Sequence, residues 1–334
     1  MNFINFPCWF RPRPSGRKER PQQAKRSCFL GRGLGRGCNP LPNYWLHPHR
    51  DVSLLLSVIV TTYNWPAALE LCLDSLFAQD DRAFEIIIAD DGSTPANQAL
   101  NQACCAKSQV PIQYVHHDDQ GFRAGTIRNK AVASSQGDYL LFIDGDCVLR
   151  PDFIARHRQL AESARFVPGN RVLLSESFTQ EVIEKHIPLH QKPLSYFLSL
   201  WIQKKINRVS AFIWLPLGFL RGLQSDKWQK AMTCNLALWK NDFLRVNGFD
   251  ELFEGWGFED SDLVIRLIHA GIKRKEGRFA VPVLHLWHPH NDKSKQDLNY
   301  QRLLDRLKQR DFIVATKGVS QYLVSNSLTQ SKIK

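Results

Sequence analysis

Read for the spacing of apolar positions, the chain changes character at residue 54. LLLSVIV (54–60) is a continuous apolar, β-branched run, the pattern of a strand covered on both faces. Pro66 then suits a first helical turn, and Leu69, Leu73, Leu76 and Phe77 recur at helical spacing. FEIIIAD (84–90) reads as a second strand, at a normal distance for a right-handed crossover, and a helix opens at Pro95. IQYVHH (112–117) is a third strand, 124–135 a helix ending near Gly137, and DYLLFID (138–144) a fourth strand. Strands alternating with helices predict an α/β fold with a doubly wound, mostly parallel sheet.

The second half is less regular. A helix is expected over 151–163, strand and loop over 166–175, a compact module over about 228–290, and an amphipathic helix over about 294–310 carrying Leu298, Leu303, Leu304 and Leu307. Residues 194–223, LSYFLSLWIQKKINRVSAFIWLPLGFLRGL, alternate apolar and aromatic stretches with Lys204, Lys205, Arg208 and Arg221. That suits either an interfacial segment dipping into a lipid headgroup layer or a core helix pair with basic outer faces. The expected divisions are a basic, disordered tail at 1–50, a regular βαβ half at 51–150, a less regular half at 151–290, and a terminal helix and tail at 291–334.

Charge alters the picture once it is located. The 334 residues carry a formal +12, but residues 1–50 hold ten Lys/Arg against Glu19 alone, a net +9, which leaves +3 for residues 51–334. The basicity is therefore mainly a property of the Pro-, Arg- and Gly-rich tail, and a nucleic-acid partner is not expected. GRGLGRG in that tail follows no strand and is rejected as a nucleotide loop. The eight cysteines show no metal spacing and, with no export signal, read as reduced thiols. No apolar run reaches eighteen residues. A cytoplasmic protein is expected, with peripheral contact on the anionic inner face of the plasma membrane as its membrane option.

The candidate chemistry gathers at strand ends, where ligands of α/β sheets sit. Asp144-Gly145-Asp146 closes the fourth strand, and two carboxylates there suit a divalent metal holding phosphates. Thr61, Tyr63 and Asn64 follow the first strand, where a base can stack on an aromatic ring and a ribose can meet small polar groups. Asp91 ends the second, where a carboxylate can accept from a uracil N3–H. Arg123 precedes a helix and can neutralise a diphosphate, while Arg128 and Lys130 on that helix can equally be its solvated face. NGFDELFEGWGFEDSDLVIRLIHAG (247–271) sets Trp256 in a glycine loop before Glu259, Asp260 and Asp262. There Asp262 caps a helix or pairs with Arg266, and Glu259 and Asp260 can serve an acceptor hydroxyl. VPVLHLWHPHN (281–291) offers His285, His288 and His290 as metal partners for Asp146. His186 and His190, split by Pro188, are read as structural.

Together V-I-V-T-T-Y-N, A-D-D-G-S, R-N-K-A, D-G-D, C-N-L-A-L (234–238) and G-W-G-F-E-D resemble the family 2 glycosyltransferases with a GT-A fold over about residues 54–290. The second half is similar to the C-terminal module of β-1,4-galactosyltransferases and related enzymes. The resemblance implies a metal-dependent transferase moving a hexose or N-acetylhexosamine from a UDP-sugar to a saccharide or lipid-linked saccharide, in bacterial surface polysaccharide or lipopolysaccharide synthesis. It implies uridine contacts from Thr61, Tyr63 and Asp91, Asp144 facing the ribose or the metal, and Asp146 on Mn²⁺ or Mg²⁺ with His285 or His288. Trp256 and Glu259 would hold the acceptor and Asp260 would be the base of an inverting reaction, whose pKa need not be high because a carboxylate is already ionised at neutral pH. Two other classes are carried beside it. A nucleotidyltransferase would show a glycine- and basic-rich loop after strand one, and a non-catalytic nucleic-acid binder would work through the tail.

Overall fold

The computed structural model describes residues 54–289 and 292–323, all within a unit spanning Asp51–Lys334. The basic tail expected at 1–50, His290 and the last eleven residues lie outside them. The first half runs β1 (Leu56–Thr62), α1 (Pro66–Phe77), β2 (Phe84–Asp90), α2 (Pro95–Cys105), β3 (Ile112–His116), α3 (Ala124–Ser134) and β4 (Tyr139–Asp144). Each strand falls within two residues of where its apolar run predicts it. Pro66 and Pro95 open their helices, and Thr94 caps α2 by accepting from the Asn97 amide.

The chain continues through β5 (Cys147–Leu149), α4 (Phe153–Leu160), β6 (Arg165–Pro168), β7 (Asn170–Leu173), α5 (Glu176–Glu184), α6 (Leu194–Ile202), β8 (Asn235–Trp239), α7 (Lys240–Arg245), α8 (Glu259–His269), β9 (Lys273–Arg274), β10 (Pro282–His285) and α9 (Gln296–Lys308). The main sheet has the order β3-β2-β1-β4-β8-β6-β9. β3, β2, β1 and β4 are parallel, and β8 pairs antiparallel with both β4 and β6. The sequence does not announce β8: its five residues lie within a motif and lack a long apolar run. It joins the two halves, so the expected boundary at 150 falls within one continuous sheet.

Core side chains fill both faces. Leu56, Val58, Ile86 and Leu141 pack on one, and Ile59, Ile87, Leu140 and Phe142 on the other, as β-alternation requires. A second sheet, β5-β10-β7, stands beside the first, with Leu284 and Leu286 packing against α5 and α6 through Phe178, Phe197 and Leu200. Among the described residues, no helix is long and apolar enough to cross a membrane.

Candidate active site

Strand register places the predicted acids on one edge. Thr61 pairs with Asp144 across β1 and β4, and Thr62 with Asp90 across β1 and β2, so all three tips open at the carboxyl end of the sheet. The Gly145 amide donates to the Thr61 carbonyl at 2.7 Å, and a Cβ on Gly145 would lie 3.1 Å from that oxygen. Glycine lets the D-G-D turn lie flat on the end of β1, which throws Asp146 across to the second sheet.

There β10 runs antiparallel to β5 with His285 opposite Cys147, and the Leu286 amide donates to the Asp146 carbonyl at 3.0 Å. His285 Nε2 lies 3.6 Å from Asp146 Oδ1, and His288 Nε2 lies 3.5 Å from Oδ2. The opposite nitrogen of each ring meets a backbone carbonyl, Leu286 at 2.8 Å and Pro289 at 2.7 Å. A carbonyl can only accept, so each Nδ1 carries a proton, and in the neutral rings both Nε2 lone pairs face the carboxylate. Acceptors converging without a proton between them make a donor set that fits a divalent cation, with the ring orientations fixed from behind. Burial pushes the Asp146 carboxyl above its ordinary pKa, an effect His285 opposes and Asp144 reinforces. Cys147 Sγ lies within reach of Asp146 and His285. Its thiol is pushed well up by burial and then by Asp146, and it points to the Cys234 carbonyl at 3.7 Å. With its proton held and its sulfur turned to that carbonyl, the thiol is a poorer third donor for a cation than the His288 imidazole.

A second cluster links the sheet edge to α8. Arg128 is 4% exposed and its fork spans three elements. Nε donates to Thr61 Oγ1 at 2.9 Å, one terminal nitrogen to Asp144 Oδ1 at 3.1 Å, and the other to Glu259 Oε1 at 3.3 Å. Burial opposes its charge, but Asp144, Glu259 and Asp260 outweigh it and hold the guanidinium above its usual pKa. The solvated-face reading of Arg128 is thus corrected. It falls in the buried stripe of α3 with Ala124, Ile127, Ala131 and Val132, and that 3–4 spacing was the signal in the sequence.

Glu259 is itself buried and directed at Arg128, while the neighbouring Asp260 stays partly open. Burial, and then the Glu259 charge, push the Asp260 carboxyl up to about 7, although Arg128 and the Ser261 and Thr233 amides pull it down. An elevation that the proposed chemistry does not require is therefore present, and no local feature of the sequence foretells it. The loop feeding α8 is tightly wound, with positive φ at Gly255 (74°), Gly257 (113°) and Phe258 (71°). The Gly255 amide donates to the Phe122 carbonyl, docking Trp256 beside the loop that leads to Arg123. Asp262 does not cap the helix; it is fully buried between Arg266 and Arg306.

At the β2 tip, Asp91 Oδ1 meets His117 Nε2 at 2.7 Å and Oδ2 accepts from the Arg123 amide at 2.9 Å. Lys130 Nζ lies 3.4 Å from His117 Nδ1, which makes Nε2–H the donor to Asp91. Arg123 donates one terminal nitrogen to the Asp118 carbonyl, and its buried Nε has no hydrogen-bond partner among the described residues. The Tyr63 ring is half exposed and its hydroxyl donates to Asp119. Asn64 sits at φ 47°, and its Oδ1 accepts from Thr94 and Asn97, so its side chain holds the loop.

The chain matches the family model described as glycosyl transferase family 2 over residues 57–223. It belongs to that family. Residues 224–288, which contain Trp256, Glu259, Asp260 and His285, match the model described as the N-terminal domain of galactosyltransferase. Among characterised sequences, this family 2 chain is 31% identical over 229 residues to validoxylamine A glucosyltransferase of Streptomyces hygroscopicus subsp. jinggangensis, covering 65% of the chain and 52% of that protein. The chain spans about half the length of the Streptomyces relatives it matches. It is 27% identical over 249 residues to the putative colanic acid biosynthesis glycosyl transferase WcaA of Escherichia coli, covering 72% of the chain and 82% of that protein. The structure of S. aureus TarS 1–349 in complex with UDP superposes with a TM-score of 0.50 at 14% identity, over 81% of this chain and 70% of that one. The fold is the GT-A arrangement. Family 2 enzymes of this fold generally use a divalent metal. Neither the nucleotidyltransferase nor the nucleic-acid alternative draws support from these likenesses.

Proposed function

We propose that this chain is a metal-dependent, inverting glycosyltransferase that moves a hexose or N-acetylhexosamine from a UDP-sugar to a saccharide acceptor. The observation that carries the reading is a partly open carboxyl held up to about 7, joined through Glu259, Arg128 and Asp144 to the Asp146–His285–His288 donor set. A strong base and a cation site share one network, as a single displacement at a sugar carbon needs.

In this reading Tyr63 stacks on the uracil, Asp91 accepts from its N3–H, and Thr61 and Asp144 face the ribose. Asp146, His285 and His288 hold Mn²⁺ or Mg²⁺, which when bound supplies charge neutralisation for the diphosphate. Arg123 adds a fixed positive charge to the same leaving group. Trp256 stacks on the acceptor ring. Asp260 takes the acceptor hydroxyl's proton as that oxygen bonds to the anomeric carbon from the face opposite the departing UDP. A carboxylate with its pKa near 7 is a better base than an ordinary one and is still half ionised at neutral pH. Glu259, turned to Arg128, raises Asp260 by like charge rather than by touching the sugar.

The likeness to WcaA, whose name refers to colanic acid biosynthesis, supports a role in polysaccharide synthesis; our reading extends this to surface polysaccharide or lipopolysaccharide assembly on a lipid-linked saccharide acceptor, at a peripheral position on the inner face of the plasma membrane. The test is a screen of UDP-sugars for Mn²⁺-dependent hydrolysis. Release of UDP from one donor supports the reading. Release of pyrophosphate, or no metal-dependent turnover with any donor, overturns it.

A further inference from the structure

The segment that the sequence leaves between two readings proves to face solvent. α6 is anchored from beneath by Phe197 and Leu200, while Leu194, Leu198, Trp201 and Ile202 form an outward stripe at helical spacing. The loop that follows adds Ile213, Trp214, Leu215, Phe219, Leu220 and Leu223, with Phe219 85% and Leu223 72% exposed. Ten of the nineteen large apolar side chains exposed among the described residues therefore lie between 194 and 223. A surface this rich in apolar groups marks an interaction site.

Charge identifies the occupant. Residues 185–230 contain eight Lys/Arg and one acid, Asp226, a net +7, whereas the rest of 51–334 carries −4. Lys204 and Arg208 are exposed within the segment, and Lys230 is exposed shortly after it. Protein interfaces are depleted in lysine, whereas Lys and Arg beside Trp, Phe and Leu are what an anionic headgroup layer over acyl chains selects. Lys185 and Lys205 pair with Glu181 and Arg221 is buried, but the remaining cations of the segment would still set like charge against like in a second copy of the chain. A cavity of about 220 Å³ lined by Leu194, Phe197, Ile213 and Trp214 joins α6 to the following loop; at its polar side Arg156 pairs with Asp152 at 2.5 Å and lies 5.5 Å from the Trp214 ring centroid.

We infer that α6 and residues 210–223 form a membrane-docking face that inserts its apolar side chains into an anionic lipid surface. This deepens the membrane setting proposed above and rests on that setting, but not on the transfer chemistry.

The experiment floats the full chain on vesicles of phosphatidylcholine with and without about one-third phosphatidylglycerol, in low salt and in about 0.5 M NaCl. The wild type is compared with the Phe219→Ser/Leu223→Ser double variant, whose altered positions are largely in water and carry no core packing. Anionic vesicles should capture the wild type in both salts, and the double variant should lose at least about tenfold in partitioning. Its circular dichroism and UDP-sugar hydrolysis should stay at wild-type levels, which separates failure of docking from failure of the transferase reading. The inference is overturned if the wild type does not float. It is equally overturned if capture disappears in high salt and ignores the substitutions, which would assign binding to the basic residues alone. A dimer in light scattering that the double variant dissolves, with no lipid capture, would give the face to a second copy instead.

Discussion

If burial and Glu259 hold the Asp260 proton, replacing Asp260 should trade activity for stability. The displacement from 3.8 to about 7, at about 1.4 kcal/mol per tenfold change in proton affinity, amounts to about 4 kcal/mol. This is an upper bound, because the carboxylate is partly open to water. Between these two values the folded protein keeps a proton that the unfolded chain has released. The contribution is thus complete below 3.8 and is lost as pH rises through 7. About 2–3 kcal/mol of that loss falls between pH 5 and 8. Asp260→Asn keeps the shape and the neutral state, so it should escape the loss. Urea unfolding of both proteins at pH 5 and pH 8 should show the variant gaining on the wild type with pH, by up to about 2–3 kcal/mol or several degrees in melting temperature. Transfer by the variant should fall about 10²–10⁴-fold, with UDP-sugar affinity within a few-fold. Wild-type kcat/KM should climb about tenfold per pH unit below 7 and level above it. Equal pH dependence of stability in the two proteins would refute the raised proton affinity. Normal turnover in the variant would remove Asp260 as the base.

Asp146→Ala should abolish metal-dependent UDP binding, read by calorimetry with and without Mn²⁺. His285→Ala and His288→Ala should each weaken Mn²⁺ binding by at least about 10–100-fold, the cost of losing an outer-shell partner, in a paramagnetic-resonance titration, with the circular dichroism unchanged. Arg128→Lys keeps the charge but cannot span Thr61, Asp144 and Glu259. It should cost about 3 kcal/mol or more in denaturant unfolding and lower kcat by at least about tenfold. Gly248→Ala should lower the melting temperature by several degrees, because φ is +67° and the added Cβ would lie 2.4 Å from Asn129 Oδ1.

The parallel half of the fold was legible because β1, β2 and β4 are covered on both faces and so read as unbroken apolar runs, each closed by a polar tip. β8 was hidden for the complementary reason. Its five residues are too few to show a period, and its interior place in the sheet, between β4 and β6, comes from long-range antiparallel pairing that no local pattern encodes. The 194–223 segment was ambiguous because the same residues suit a core or an exposed surface, and the fold divides them, burying Phe197, Leu200 and Ile206 while exposing Trp201, Ile202 and Phe219.

Within the candidate site, residue types could be read from sequence but their couplings could not. Asp144, Asp146, Asp260 and His285 stand out as acids and imidazoles at strand ends or a helix start. Asp260's proton affinity, however, depends on a neighbour turned away to a buried arginine 131 positions earlier than Glu259. That arginine lies in an apolar stripe, and a charged residue in such a stripe is tolerated only when partners repay its desolvation. Here Thr61, Asp144 and Glu259 do so. One guanidinium therefore fixes the ends of β1 and β4, which face the proposed donor, against the start of α8, which faces the proposed acceptor. Its double-mutant coupling energies with Asp144 and with Glu259 should accordingly exceed those of any surface pair in the molecule, such as Lys107–Glu70.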